Sequence, residues 1–432
     1  MDHATPARFL AAHEATATVP VFPALLLPSP PRDGCAARLH KQLPPPRPGL
    51  RVSVIIPAKD EAANLPATLA ALAAQTDAQG RPMAPNSYEV IVLANNCQDA
   101  TATVVRGQAQ RFPGLVLHVA ELCLPGKMAH VGRARRLLMD EACARLEQVG
   151  SSAGIIASTD ADTRVVPTWL AAIQTEIAAG ADAVGGRILT EAAEYGQPGI
   201  EPLQRIQTRD AAYHLLCARL EDQLDPVLTD RWPRHHQHFG ASLALTAQAY
   251  RQVGGLPEVR FLEDEALCQA LRRHDLTLRH SPWVQVVTSA RRDGRVEVGL
   301  SWQLREWLRM SQQQREPHVE DPAQLARRWW LRCQLRAYWA GGATNQPAAI
   351  AARLQVPAAK LVRKTWQAPT FGTLWEWALE NAPGLQVSWL PLSRALLALP
   401  RLIRANLRSV EAPPEVSAFP VNRGDRWSAV VR

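Results

Sequence analysis

No window of this chain approaches the ~18 uninterrupted apolar residues that a membrane-spanning helix needs. The apolar patch from Val19 to Leu27 is broken by Pro20 and Pro23 and has no basic cluster before it, so it reads poorly as a secretory signal. A cytoplasmic location follows as the expectation. The seven cysteines (35, 97, 123, 143, 217, 268 and 333) are odd in number and scattered, with no C-x-x-C spacing. That pattern argues against a disulfide framework and against a thiolate zinc site. No internal repeat of fixed period is present, and no nucleic-acid-binding motif accompanies the basic residues.

What is present is unevenly distributed. Of the 432 residues, 47% are apolar, an ordinary share for a globular protein with one large domain and a smaller appendage. The whole chain carries a formal net charge of +8, and residues 296–432 hold 18 Lys+Arg against 10 Asp+Glu, so residues 1–295 are balanced. Ten of the 13 tryptophans also fall in that last third. The C-terminal region is therefore basic and aromatic, suited to an anionic partner. Residues 20–48 hold nine prolines and read as an extended or irregular arm.

From Arg51 onward, short β-branched runs alternate with Ala/Leu-rich stretches. The expected strands are 52–57, 89–94, 115–119 and 154–159. The expected helices are 62–75, 99–111, 128–146 and 167–179. This alternation predicts right-handed βαβ units on a parallel sheet covered on both faces. Later elements are a helix over 201–224, a strand at 241–246, and helices from Ala247 and over 264–273. Two short strands follow, at 277–280 and 284–288. Beyond about residue 300 the pattern is mostly helical.

In an open sheet, ligands bind outside the carboxyl ends of the strands. The polar residues at those ends are Pro57-Ala58-Lys59-Asp60-Glu61, then Asn95, Asn96 and Asp99, then Gly126-Lys127, then Asp160-Ala161-Asp162. Asp60 and Asp99 are equally well placed as helix caps. Two carboxylates two residues apart, just after the apolar strand IIAS, both reach one hard cation and leave room for phosphate oxygens. Glu263-Asp264 opens a helix, where acids commonly serve the dipole; the functional alternative is a general base for an acceptor hydroxyl.

Five segments in order, VSVIIPAKDEAANL, NNCQDAT, GKMAHVGRARR, TDADTRVVPTWL and VGGLPEVRFLEDEAL, resemble the catalytic domain of family 2 glycosyltransferases. The resemblance spans residues ~50 to ~295 and implies an α/β fold of GT-A type, a Rossmann-like mixed sheet flanked by helices. A mainly helical C-terminal extension would complete the chain. The implied organisation is an N-terminal arm (1–49), a catalytic domain (50–298) and a helical, basic, Trp-rich region (299–432). It further implies that Pro57, Ala58 and Glu61 bind the donor nucleoside. Asp160 and Asp162 form the D-x-D pair, with Asp162 a direct ligand of Mg²⁺ or Mn²⁺. Lys127 lines the donor site, against the plainer reading of a solvated loop lysine. Asp264 is the catalytic base, with Glu263 its neighbour on the acceptor side. The implied partners are a nucleotide-diphosphate sugar donor and a small-molecule or lipid-linked acceptor, with an inverting displacement.

The sequence departs from the family at three places. Where many relatives have an Asp that reads the donor base, this chain has Ala94 then Asn95, whose amide offers both donor and acceptor. HVGRARR stands where Asn-x-Gly is common. QLREW has the wrong spacing for the Q-x-x-R-W of processive polymer synthases. A nucleotidyltransferase is the competing enzyme class, but its Gly-rich first loop is replaced by PAKDEAAN, which has no glycine. A non-catalytic binding protein on the same fold is the third reading. His235, His236 and His238 could hold a metal, line an acceptor pocket or lie on the surface. Arg291, Arg292 and Arg295 could hold donor phosphates or an anionic acceptor, or form a solvated basic loop. The stretch 394–408 mixes leucines with four arginines, so it either packs on the protein or lies on an anionic membrane, and Pro400 should kink it.

Overall fold

The computed structural model describes residues 34–151, 153–191, 201–291, 299–342 and 347–409. Four strands form the first half of the sheet: β1 (Val52–Ala58), β2 (Tyr88–Asn95), β3 (Val116–Leu122) and β4 (Ile155–Ser158). β1 pairs in parallel with β2 and with β4, and β2 with β3. The expected parallel βαβ half is therefore present, and its apolar runs are buried on both faces. Ile55, Ile91 and Leu93 face one core layer; Val54, Ile56, Val90 and Val92 face the other.

Helices α2 (Leu65–Ala73), α3 (Thr101–Arg111) and α4 (Val131–Gln148) connect these strands. Before them lies α1 (Gly34–Lys41), which packs Leu39 against the core. So residues 34–41 of the proline-rich arm are helical, with Leu39 covered by an apolar surface, while its end, 42–48 with Pro44, Pro45 and Pro46, is irregular as expected; residues 1–33 lie outside the described part.

Beyond β4 the sheet becomes mixed. The added elements are β5 (Thr163–Val165), α5 (Trp169–Ala178), β6 (Ala183–Thr190), α6 (Glu201–Leu224), β7 (Leu243–Thr246), α7 (Ala247–Gln252), α8 (Glu263–Arg273) and β8 (Leu278–Thr288). The strand order is β3-β2-β1-β4-β7-β6-β8-β5, with β7 antiparallel to β4 and β6. The two short strands expected at 277–280 and 284–288 are one continuous strand, β8. Pro282 is accommodated where the pairing with β6 shifts register, between Gly186 and Arg187. The sequence pattern missed β6 because its second half is half-exposed and its Gly185-Gly186 pair breaks the apolar run.

The remaining elements are α9 (Leu300–Gln312), β9 (His318–Glu320), α10 (Pro322–Trp339), α11 (Pro347–Leu354), α12 (Ala358–Gln367), α13 (Phe371–Asn381), β10 (Trp389–Pro391) and α14 (Leu392–Ser409). This region is helical, as expected, apart from the antiparallel pair β9-β10. α14 keeps Pro400 inside one continuous helix and buries Leu392, Ala395, Leu399 and Ile403 against Tyr213, Cys217 and Leu220 of α6. Its apolar face is thus used in packing. Among the described residues no helix is long and apolar enough to cross a membrane.

Candidate active site

The site forms where the C-terminal ends of the first strands meet the turn before β7. Ser158 and Thr159, at the end of β4, donate their hydroxyls to the carbonyls of Gly240 (2.8 Å) and Ala241 (3.0 Å). This fixes the turn, and the Gly240 N–H then donates to Asp264 Oδ2 at 2.8 Å. Asp264 Oδ1 accepts the N–H of Glu265 at 2.8 Å, so both carboxylate oxygens are oriented at the start of α8. Leu262, just before, adopts a left-handed conformation (φ 58°) that turns the chain into the helix.

One side chain joins the two acidic motifs. Arg135, on α4, donates Nη2 to Asp160 Oδ1 at 2.7 Å and Nη1 to Glu263 Oε1. Arg135 and Glu263 are both buried. A second arginine does the same at the neighbouring position. Antiparallel pairing of Thr163 with Thr288 brings the chain end after β8 beside the D-A-D loop. There Arg291 binds Glu61 through two bonds (2.6 and 3.1 Å) and Asp162 Oδ2 at 2.9 Å. Five carboxylates, Glu61, Asp160, Asp162, Glu263 and Asp264, thus surround two guanidiniums.

Burial raises the Asp162 carboxyl to about 6, and the Asp160 charge adds to this, against Arg291. Burial likewise raises Asp160, with Asp264 and Glu61 contributing and Arg135 opposing. Glu263 is raised by burial against the pull of Arg135. This surplus of negative charge, made wholly of oxygen donors, fits a hard divalent cation. Among the described residues the one trio of ligating side chains with donor atoms within 4.8 Å of one another is Asp60, Cys97 and Asp99, not the D-A-D pair. That trio locks two loops: Asp60 Oδ1 accepts the Gln98 N–H at 2.6 Å, and Asp99 Oδ2 accepts the Ala62 N–H at 3.0 Å. Asp99 Oδ1 also accepts the Thr101 N–H at the start of α3 (2.9 Å), a capping role, whereas Asp60 caps no helix: α2 starts at Asn64 without a side-chain cap.

Pro57, Ala58 and Asn95 end their strands at this same edge, Asn95 buried and Pro57 opposite Leu93 in the pairing. Lys127 is exposed in a short 3₁₀ turn and no contact joins it to the carboxylates. Arg292 and Arg295 lie outside the described residues. Of the three clustered histidines, His235 and His238 are buried, contrary to the surface reading, and they form no trio of metal-ligating groups.

Arg135 was missed in the sequence. Its signal was a basic residue on the stripe of α4 that also carries Leu138, Ala142 and Leu146, where the helical period calls for an apolar side chain. A charge at such a position needs a partner.

The family model described as "Glycosyl transferase family 2" matches residues 53–199, from β1 through the D-A-D loop to β6 and just beyond it. These residues belong to glycosyl transferase family 2. The family segment thus contributes Glu61, Arg135, Asp160 and Asp162, whereas Glu263, Asp264 and Arg291 come from the part of the sheet that follows. No curated protein matches the chain. Solved structures resembling it include a mannosyltransferase from Pyrobaculum calidifontis in complex with GDP-Man and Mn²⁺, 18% identical, covering 87% of this chain and 93% of that one, with a TM-score of 0.38. S. aureus TarS 1–349 in complex with UDP is 12% identical over 86% of this chain and 95% of that one, TM-score 0.38. GalNAc-T7 with UDP, GalNAc and Mn²⁺ is 13% identical over 77% and 56%, TM-score 0.40. Overlays this loose add nothing to the assignment, which stands on the family match and on the strand order. That order, a parallel 3-2-1-4 half continued by antiparallel β7, is the mixed sheet expected of a GT-A fold.

Proposed function

We propose that this glycosyltransferase moves a sugar from a nucleotide-diphosphate donor to an acceptor hydroxyl, with Asp264 as general base. The observation that carries the reading is the joining of the D-A-D loop and the Glu263-Asp264 helix start through the single guanidinium of Arg135. Donor-side and acceptor-side carboxylates are thereby held as one rigid unit. Residues 50–298 form the catalytic part in this reading, and the described helices beyond residue 299 brace it.

Asp160 and Asp162 would hold Mg²⁺ or Mn²⁺, which when bound neutralises a diphosphate and stabilises the charge on the departing nucleotide. The strand-end segment Pro57, Ala58, Glu61 and Asn95 holds the nucleoside, and Lys127, exposed at the rim, meets the phosphates when the donor docks. Glu263 is fixed by Arg135 and keeps its neighbour in place. The Gly240 N–H holds Asp264 Oδ2 in place and so orients the base. Deprotonation of the acceptor oxygen by Asp264, with attack at the anomeric carbon from the face opposite the diphosphate, gives inversion. The acceptor is a small molecule or a lipid-linked sugar. In the latter case the exposed arginines of α14, Arg394, Arg401 and Arg404, would meet an anionic bilayer.

Asp264→Asn tests the base. The amide keeps the shape but cannot take a proton, and its NH2 gives up one of the two backbone N–H bonds, so nucleoside-diphosphate binding should be retained while turnover falls by about 10²–10⁴-fold. Wild-type turnover by this variant would place the base elsewhere.

A further inference from the structure

Beneath the turn that carries Gly240 runs a row of polar side chains that the reading above does not use. His238 Nε2 lies 2.5 Å from Glu265 Oε2, and His238 Nδ1 lies 3.2 Å from His280 Nε2. His280 Nδ1 lies 2.8 Å from Asp230 Oδ2, and the His280 N–H donates to Asp230 Oδ1 at 2.8 Å. His238, His280 and Asp230 are buried. The row is carboxylate, imidazole, imidazole, carboxylate.

Three hydrogen bonds in such a row need three protons, and two neutral imidazoles carry two. Counting from Asp230 makes the deficit explicit. His280 donates Nδ1–H to Asp230, which leaves its Nε2 bare. That nitrogen must accept Nδ1–H from His238. The Nε2 of His238 is then bare as well, facing a carboxylate oxygen at 2.5 Å. Two acceptors do not sit at that distance without a proton between them.

The surroundings decide where the third proton resides. Glu265 Oε1 accepts from Gln269 Nε2 and Arg272 Nη1, both at 3.3 Å, and against burial Arg272 acts most strongly to lower this carboxyl, so Glu265 is the carboxylate. Burial pushes His280 down. On the Asp230 side stand Arg234 (3.1 Å) and Arg279 (3.4 Å), and Arg234 continues to Glu221 of α6 and from there to Arg332 of α10. On the Glu265 side stand Gln269 and Arg272, both at 3.3 Å. His235 is fixed as neutral: its Nδ1 accepts the Gln237 N–H and its Nε2 donates to the Ser281 carbonyl. His236 stacks on His214, which lies 3.6 Å from Asp210.

We propose that His238 and His280 hold one extra proton, as an imidazolium on His238 bound to Glu265, and that this charged couple is the positioning device for Asp264. Gly240–Asp264 and His238–Glu265 are adjacent rungs between the same two segments, 238–240 and 264–265. The inner rung aims the base; the outer rung, made of opposite charges, holds the helix start in place. The positioning role rests on the reading of Asp264 as the base, whereas the proton count does not.

Imidazole ¹⁵N NMR of the full chain, labelled at histidine, tests the count at pH 8, where ordinary imidazoles are neutral. One imidazole protonated on both nitrogens is expected, absent in His238→Gln. It should also be absent in Glu265→Gln, whose amide N–H supplies the missing proton. Neutral imidazoles throughout the wild type, or an imidazolium that persists in Glu265→Gln, would overturn the proposal. Hydrolysis of UDP-glucose and GDP-mannose with Mn²⁺, water standing in for the acceptor, tests the positioning. His238→Ala should lose rate by about tenfold to a hundredfold with diphosphate affinity unchanged, as a misplaced base requires. Glu265→Gln, which keeps the bond, should retain more rate than His238→Ala and lack the alkaline fall in rate expected of the wild type as the extra proton leaves. Wild-type hydrolysis by His238→Ala at every pH would remove the positioning role. Wild-type hydrolysis by Asp264→Asn would remove the base reading and the positioning role with it, whatever the NMR count.

Discussion

Arg135 touches carboxylates 25 and 128 positions away in sequence. That separation explains why D-A-D and Glu-Asp could be read from the chain while the residue joining them could not. Paired acids announce their chemistry locally; a bridging arginine does so only once the sheet has brought its partners to one edge. Arg291 was read as a ligand of phosphates or of an anionic acceptor, or as part of a solvated loop; in the fold its partners are Glu61 and Asp162. Gly240 belongs to the same constellation, because a Cβ there would lie 2.4 Å from the Arg135 guanidinium carbon. Arg135 is buried and held by two carboxylates, so it has no free direction in which to yield. Gly240→Ala should therefore break the bridge and leave buried charge unpaired, lowering stability by about 3–5 kcal/mol in urea unfolding. An unchanged unfolding midpoint would mean that Arg135 is looser than its contacts indicate.

Helix α8, which carries the proposed base, is held at both ends. Its start carries Glu263, Asp264 and Glu265; its far end meets α13. Asp275 accepts the N–H groups of Phe371 and Gly372, both at 2.7 Å, and Arg273 binds Glu376 at 2.7 Å. Gly372 is required for this approach, since a Cβ would meet the Arg272 carbonyl oxygen at 1.9 Å. Asp275→Ala should release two helix-start donors and cost about 0.5–2 kcal/mol, measured by urea unfolding. No loss would mean that Thr370 alone satisfies the α13 start. Strands were the most legible elements, because runs such as VSVIIP are buried on both faces. β8 was read as two strands, since the sequence marks Pro282 but not the register shift in β6 that tolerates it. The sequence left the histidines of residues 235–238 open between a metal site, an acceptor pocket and the surface, because the loop's polar composition hides a buried hydrogen-bonded row.

At the scale of the molecule, the C-terminal helices are bound to the sheet half by charge as well as by leucines. Asp225, fully buried, takes Arg332 and Arg336 of α10. Composition marked this region as basic without indicating that part of its charge is spent internally. Such networks tie stability to pH. Burial acts to raise Glu89, yet Arg145 and His118 hold it at about 2; Glu221 is held at about 2 against burial by Arg234 and Arg332. A depressed carboxyl stabilises the fold above its unfolded value of 4.5, and that contribution is lost as pH falls toward 2. Burial also lowers His235 from 6.5 to about 3, so the unfolded chain takes up a proton first and stability begins to fall below 6.5. Asp162, raised to about 6, opposes the fall only down to its unfolded value of 3.8. Thermal melts from pH 6.5 to pH 3 should show a shallow decline at first and a steep one below about 4.5. A Tm that rises below 4.5 would contradict these assignments. The central claim, a metal-dependent donor site at the D-A-D loop, is tested most directly by titration calorimetry with UDP, GDP, dTDP and CDP, each with and without Mn²⁺. The account predicts that one diphosphate binds, that binding requires the metal, and that Asp162→Ala abolishes it in a folded protein. Binding of none of the four by the folded wild-type chain, with or without metal, would contradict it.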